Sequence, residues 1–327
     1  MKTDAPPGTA SHRTVGLALI GLAAFLFVLA PMLRWYVYPR LAVVPADIDR
    51  TLVSVGDATI LDIDDLAERH TDLTSTRIVR SDVATGNGEV AVWDSFVKTV
   101  DAEGTTVFTQ TQRAAFDPHT GVAVPGFREN VDGHPVEHVG QVFTFPFGTE
   151  KRAYEFFDPT LAQARPAAYD SEDEIHGVTV YKFVQTIEPV AHGTVEVPGA
   201  ILDSGLPTVE AEHVYAKVRT LWVEPETGAI IKGEERQTSA LRFRDATVTI
   251  TEATIGYDDR TVSESASKYG DLADRLRLVR DTAPLAAVAL SLLVMVGGLV
   301  SRRSGIGRPG HGQIRRALRR PVRTASR

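Results

Sequence analysis

The chain has 327 residues, 35 Lys+Arg against 42 Asp+Glu, a net charge of −7 and no cysteine. Its 43% of hydrophobic residues is the composition of a folded protein and excludes wholesale disorder. Lack of cysteine excludes a disulfide framework, cysteine-ligated zinc and a thiol nucleophile together.

After a short N-terminal segment, residues 1–14, comes the first apolar run. Val15 to Leu33 holds 19 residues without a charged side chain, and Ala283 to Val300 holds 18. At ~1.5 Å per helical residue each is about 27–29 Å long, close to the ~30 Å hydrocarbon core of a bilayer. Both runs predict transmembrane helices. The tail 301–327 carries nine Arg and no acid, so the positive-inside rule places it in the cytoplasm. Two spans then put the N-terminus, with Lys2 and Arg13, on the same side. The rest, 34–282, lies outside with 24 basic and 41 acidic side chains. The expectation is a two-pass plasma-membrane protein with both termini cytoplasmic.

Nine Arg beside a span are explained by topology and anionic inner-leaflet lipid, at ~1 kcal/mol per basic residue. No nucleic-acid partner is expected. Trp35, Tyr36 and Tyr38 read as an interfacial aromatic belt. The bulky stretch from Arg34 speaks against cleavage at Val44-Pro45-Ala46, so the first run reads as an uncleaved anchor. Small residues recur along both runs: Gly16, Ala23 and Ala30 every seven, Ala283, Ala287 and Ser291 every four. Running antiparallel, Ala30 meets the depth of Ala287 and Ala23 that of Ser291, which predicts close helix packing.

Between the spans, residues 34–260 read as antiparallel β structure, either a curved half-barrel or a sandwich. Period-two alternation recurs in Glu89–Asp101, Thr105–Phe116, Gly177–Glu188, His213–Glu224 and Thr247–Thr254. In His213–Glu224, Val214, Ala216, Val218, Thr220 and Trp222 face one way, and His213, Tyr215, Lys217 and Arg219 the other. An acid-Pro-x-Thr-Gly turn occurs twice, at Asp117–Gly121 and Glu224–Gly228. Its proline presets φ and its glycine takes the positive φ that reverses the chain. The repeat suggests two sheet units with a seam near 163–174, where Ser171–Glu174 reads as an exposed loop. From about Val262 a helical pattern, capped near Ser263 and spanning 261–282, suggests a stalk.

Chemical motifs are scarce. His134 and His138 have metal-ligand spacing, but Gly133 and Pro135 make a surface loop the better reading. Asp62, Asp64 and Asp65 lack the glycine and distal glutamate of a calcium loop. No nucleophile elbow, phosphate loop or dinucleotide fingerprint occurs. Neither an enzyme nor a cofactor or metal is expected. The aromatic cluster Phe143, Phe145, Phe147, Phe156 and Phe157 suits either a core or the wall of an apolar pocket. Tyr154 stands beside it, and Lys151 and Arg152 are placed to meet an anionic or sugar headgroup. Short side chains on two strand faces, Val107, Thr109, Thr111 and Ala115 opposite Val214, Ala216, Val218 and Thr220, would leave room for an acyl chain. The reading requires an apolar cavity of at least ~300 Å³ between them.

Three stretches carry a resemblance: YVYPRLAVVPADIDRTLVSVGDATILD (Tyr36–Asp62), FPFGTEKRAYEFFDPT (Phe145–Thr160) and LWVEPETGAIIKGEE (Leu221–Glu235). In this order between two spans they resemble a large actinobacterial family of two-span envelope proteins, also labelled the porin PorA family. The family's Lys-x-x-x-Tyr pair is shortened here to Lys151-x-x-Tyr154. The resemblance implies an extracytoplasmic, mostly antiparallel β domain and a part in envelope growth or long-chain glycolipid handling. The third stretch is also similar to the strand–turn–strand of periplasmic lipoprotein carriers. The expected role is a lipid-binding envelope assembly factor, with membrane lipids, including glycolipid, and envelope proteins as partners. The alternatives are a scaffold without a lipid pocket and a porin-like channel subunit. The channel is disfavoured because Ser291 is the only hydroxyl of the two apolar runs, which leaves no polar pore lining.

Overall fold

The computed structural model describes residues 9–62 and 66–304. The basic tail beyond Ser304, and Asp64 and Asp65 of the discarded calcium motif, lie outside the described residues. The chain divides into two compact units, one formed by its two ends and one by Trp35–Asp281.

The first unit pairs helices α1 (Thr9–Met32) and α4 (Ala283–Ser304). Both are long and apolar enough to cross a membrane. Their large side chains, among them Leu17, Phe25, Phe27, Leu285 and Leu293, are exposed. The buried positions are small ones, as helix pairing within lipid requires. Gly16, Ala23 and Ala30 are buried in α1, and Ala287, Ser291 and Gly298 in α4, whereas Ala283 is only half-buried. The Ser291 hydroxyl donates to the Ala23 carbonyl at 2.8 Å. A β-carbon at Gly298 would lie 3.1 Å from the Gly16 carbonyl, so the helices run antiparallel with backbones nearly touching.

In the second unit, the short helix α2 (Tyr38–Leu41) leads into one mainly antiparallel sheet of twelve strands. These are β1 (Asp49–Asp62), β2 (Ala67–Ser81), β3 (Ala91–Val100), β4 (Thr106–Phe116), β5 (Asn130–Val131) and β6 (His134–Pro135). They continue as β7 (Tyr154–Asp158), β8 (Gln163–Ile175), β9 (Val178–Pro198), β10 (Thr208–Val223), β11 (Ile230–Phe243) and β12 (Ala246–Tyr257). The spatial order is β6-β5-β4-β3-β2-β1-β12-β11-β10-β9-β8-β7. Two six-stranded meanders are thus joined where the first strand pairs with the last, in a register that includes Ser54 opposite Tyr257. The sheet curls into a half-barrel. The expected seam is absent, since 163–174 is strand β8, paired to β7 and then to β9. The stretch Ser171–Glu174 sits on this strand rather than in a loop.

The curl is held by a strap, residues 140–149, that runs from one sheet edge towards the other. The Gln141 amide donates to the Glu155 carbonyl, and the Phe157 amide donates back to Gln141. The strap is gripped on both sides by the repeated turn. Val142 donates to the Gly121 carbonyl and Phe147 to His119; Phe145 donates to Gly228, Gly148 to Glu226 and Thr149 to Pro225. Each turn is built alike. Asp117 accepts from the His119 and Thr120 amides, and Glu224 from the Glu226 and Thr227 amides. Gly121 and Gly228 have φ near +70°, and a β-carbon at either would collide with the strap's backbone. Only glycine fits there.

Helix α3 (Asp259–Arg277) starts at Asp258, whose carboxylate accepts from the Thr261 amide, rather than at Ser263. Nor is it a free stalk. Val262, Ser265, Ala266, Ala273 and Leu276 form one buried face, and Val262 and Ala266 pack on Val180, Trp222 and Ile231. An apolar stripe of that kind is stable only against a partner surface.

Candidate functional site

The residues expected to form a lipid pocket divide between core and surface. Phe145 is fully buried and stacks on Phe156 and Phe183, with Tyr154 edge-on at 5.4 Å. Phe143 packs against Trp93 and Phe116. Strands far apart in sequence supply the aromatic partners that fill this space. Lys151 binds Glu172 at 2.7 Å and lies 5.0 Å over the Tyr181 ring, while Arg152 pairs with Glu150. Each cation is already paired with a carboxylate. The paired faces expected to enclose an acyl chain do not meet. Val107, Thr109 and Thr111 are exposed, Ala115 is buried, and Val218 is 40% exposed.

On β10 the other face is the more continuously buried, although Val214 and Trp222 of the first are buried as well. Tyr215, Lys217 (6% exposed) and Arg219 (5%) point into the half-barrel. Lys217 reaches Glu235 at 2.7 Å and Asp158 at 3.5 Å; Arg219 reaches Glu235 at 2.7 Å and Asp158 at 3.3 Å. Arg219 also donates to the Gln185 side chain, and the Tyr215 hydroxyl to Asp158. Burial disfavours the charge on each, yet the opposite charges outweigh it. The pKa of Glu235 is held well below the usual carboxylate range, and those of Lys217 and Arg219 above theirs. The network spans four strands or strand ends, from Asp158 at the close of β7 to Glu235 on β11.

A second network closes the base of this unit. Glu226, in the repeated turn, accepts from the Tyr38 hydroxyl at 2.8 Å and pairs with Arg280 at 2.7 Å. Fully buried Glu224 pairs with Arg277 at 2.8 Å. Burial raises the pKa of Glu224 despite the hydrogen bonds from Thr227 and the charge of Arg277.

Beside it lies an open groove of about 620 Å³. Tyr38, Pro39, Val43, Pro146 and Phe147 make its apolar walls, with Arg40 and His119 at its polar margin. The His119 ring is fixed by a 2.7 Å contact between Nδ1 and the Ala42 carbonyl. Of the residues expected to form the pocket, Phe147 lines this groove. A second cleft, of about 630 Å³, is walled by Asp82, Thr85, Arg113 and Asn130 and is polar.

The two histidines of the discarded zinc motif part company. His134 is exposed on β6, whereas His138 is buried against Phe157, its Nε2 3.1 Å from Gln112. Among the described residues, no three acidic or histidine side chains converge as metal ligands.

A family model described as Porin PorA matches residues 15–300. The Porin PorA of Corynebacterium resistens is 29% identical over an alignment covering 40% of this chain and 44% of that protein. The Porin PorA of Corynebacterium amycolatum is 25% identical, with 79% of this chain and 82% of that protein covered. The chain thus matches under half the length of the first relative and about four-fifths of the second. The two apolar helices, the curled antiparallel sheet between them and a match that runs from the first span through the second make this chain a member of the Porin PorA family.

Proposed function

We propose that this membrane protein is a non-enzymatic lipid-binding assembly factor of the cell envelope, anchored by both helices with its β unit outside and its termini in the cytoplasm. The cavity expected between the two strand faces does not support it, since those faces do not meet; the observation that carries the reading is instead the groove around Phe147. Its volume falls within the ~300–1,000 Å³ of small-molecule sites. Its walls are apolar, and Tyr38–Val43 follow the first apolar run directly in sequence. An acyl chain laid there gains ~0.8 kcal/mol per buried methylene, and Arg40 offers a cation to an anionic headgroup. The test is lipid extraction and mass spectrometry on the purified full-length protein. Wild type should retain a lipid that Phe147→Asp loses; equal lipid in both refutes the groove.

A channel is the second reading, favoured by the name Porin PorA that both relatives carry. The charged interior of the half-barrel is the feature it would use. Stepwise conductance in planar bilayers that changes with Lys217→Met would establish it over the lipid reading.

A further inference from the structure

Midway along the longest hairpin, the pairing of β9 with β10 slips. Ala191 lies opposite Val214 and Thr194 opposite Glu212, so His192 and Gly193 together face the single residue His213. Such a bulge interrupts the alternation of side chains and is a common device for aiming them at a site. Gly193 takes φ +148°, which a side-chain-bearing residue rarely adopts. The result brings two imidazoles together, with ring centres 4.5 Å apart and planes tilted by 48°. Tyr215 stands edge-on to His192 at 5.7 Å, its hydroxyl turned to Asp158.

Both Nε2 atoms are buried and have no hydrogen-bond partner. Buried nitrogens left unpaired are rare, and two on rings this close call for a shared partner. A neutral imidazole nitrogen is a strong donor to borderline divalent metals. With metal–nitrogen bonds of ~2.0–2.1 Å, two rings sharing one ion have centres ~4.5 Å apart at a right angle and ~5.2 Å apart at a tetrahedral one. The observed spacing matches the right angle, the preference of tetragonal copper and nickel.

We propose that His192 and His213 together bind one divalent transition-metal ion, Cu²⁺ or Ni²⁺ in preference to Zn²⁺, through their Nε2 atoms, with solvent completing the coordination. The site stands apart from the Phe147 groove, and the lipid reading does not depend on it.

Full-length protein in detergent, freed of any affinity histidines, is titrated with Cu²⁺ and followed by electron paramagnetic resonance. One ion per chain with coupling to two imidazole nitrogens is expected, with at least a tenfold loss of affinity in His192→Gln and in His213→Gln. Added ascorbate reduces the bound Cu²⁺, and its reoxidation by dissolved oxygen generates oxidants that should mark His192 and His213 first, read by mass spectrometry on wild type. This footprint decides the matter even if a variant fails to fold. A copper spectrum unchanged in the double variant, first oxidation at His134 or His176, or no binding at micromolar Cu²⁺ overturns the assignment.

Discussion

Glu235 is the nearer of the two carboxylates that both buried cations of β10 share. Removing it in Glu235→Ala leaves Lys217 and Arg219 with Asp158 alone, and breaking a buried pair from one side costs ~3–5 kcal/mol. The denaturation midpoint should fall accordingly; a loss below ~1 kcal/mol would mean that water reaches the site. Acid should act through the same residue. A carboxylate whose folded pKa is depressed contributes stability above its unfolded value, ~4.3 for Glu, and loses it as the pH falls towards the folded value. Arg113 and Thr85 likewise lower Asp82 to about 2. Glu224 has the opposite sign: its raised pKa favours the fold below the unfolded value, and that gain fades as pH rises. Asp101 and Asp170 are depressed as well, and with four depressed carboxylates against one raised, stability should drop below about pH 4. Glu235→Gln should flatten that drop. Parallel pH curves for wild type and Glu235→Gln would show that other groups govern it.

Gly228 tests the strap. A methyl group there meets the Phe145 carbonyl at a positive φ, so Gly228→Ala should cost ~2 kcal/mol or more and expose the buried Phe145 to quenching. A near-neutral effect would mean that the strap is dispensable. In the helical pair, Ser291→Leu should separate α1 from α4. Cysteines at Ala23 and Ser291, in a chain with none of its own, should crosslink within one molecule; dimers alone would assign the stripe to self-association. These elements differ in how legible they were. The spans announce themselves because a charge-free run of that length has few other homes, and their small residues mark the contact face. Strand alternation on β10 was readable, but a period of two does not say which face is inside. There the charged face won, because Asp158 and Glu235, 59 and 18 residues from Lys217, neutralise it, and pairings so distant leave no local trace. The aromatic cluster left core and pocket wall open for the same reason: its fillers, Trp93, Phe116 and Phe183, come from other strands. The bulge that joins His192 to His213 likewise depends on register. A histidine followed by glycine within a strand was its only signal.

For the whole molecule, the proposed two-pass topology predicts that a reporter active only in the cytoplasm works when fused after Arg327 and is silent at Gly104; activity at Gly104 would invert the reading. The joining of β1 to β12 has a mechanical consequence. It brings the start and finish of the β unit to one corner of the sheet, and Tyr38 near the start and Arg280 near the finish hold the same carboxylate, Glu226. A lateral pull between Trp35 and Asp281 therefore loads that carboxylate before it reaches a strand. Once the clasp gives, the load passes to α3, held by Arg277 on Glu224 and by its buried face, and only then to β1 and β12, which part pair by pair from Ser54 and Tyr257 as a zipper opens from its end rather than by shear along its length. Glu226 is thus the first fuse in that circuit and α3 the second, both ahead of the sheet.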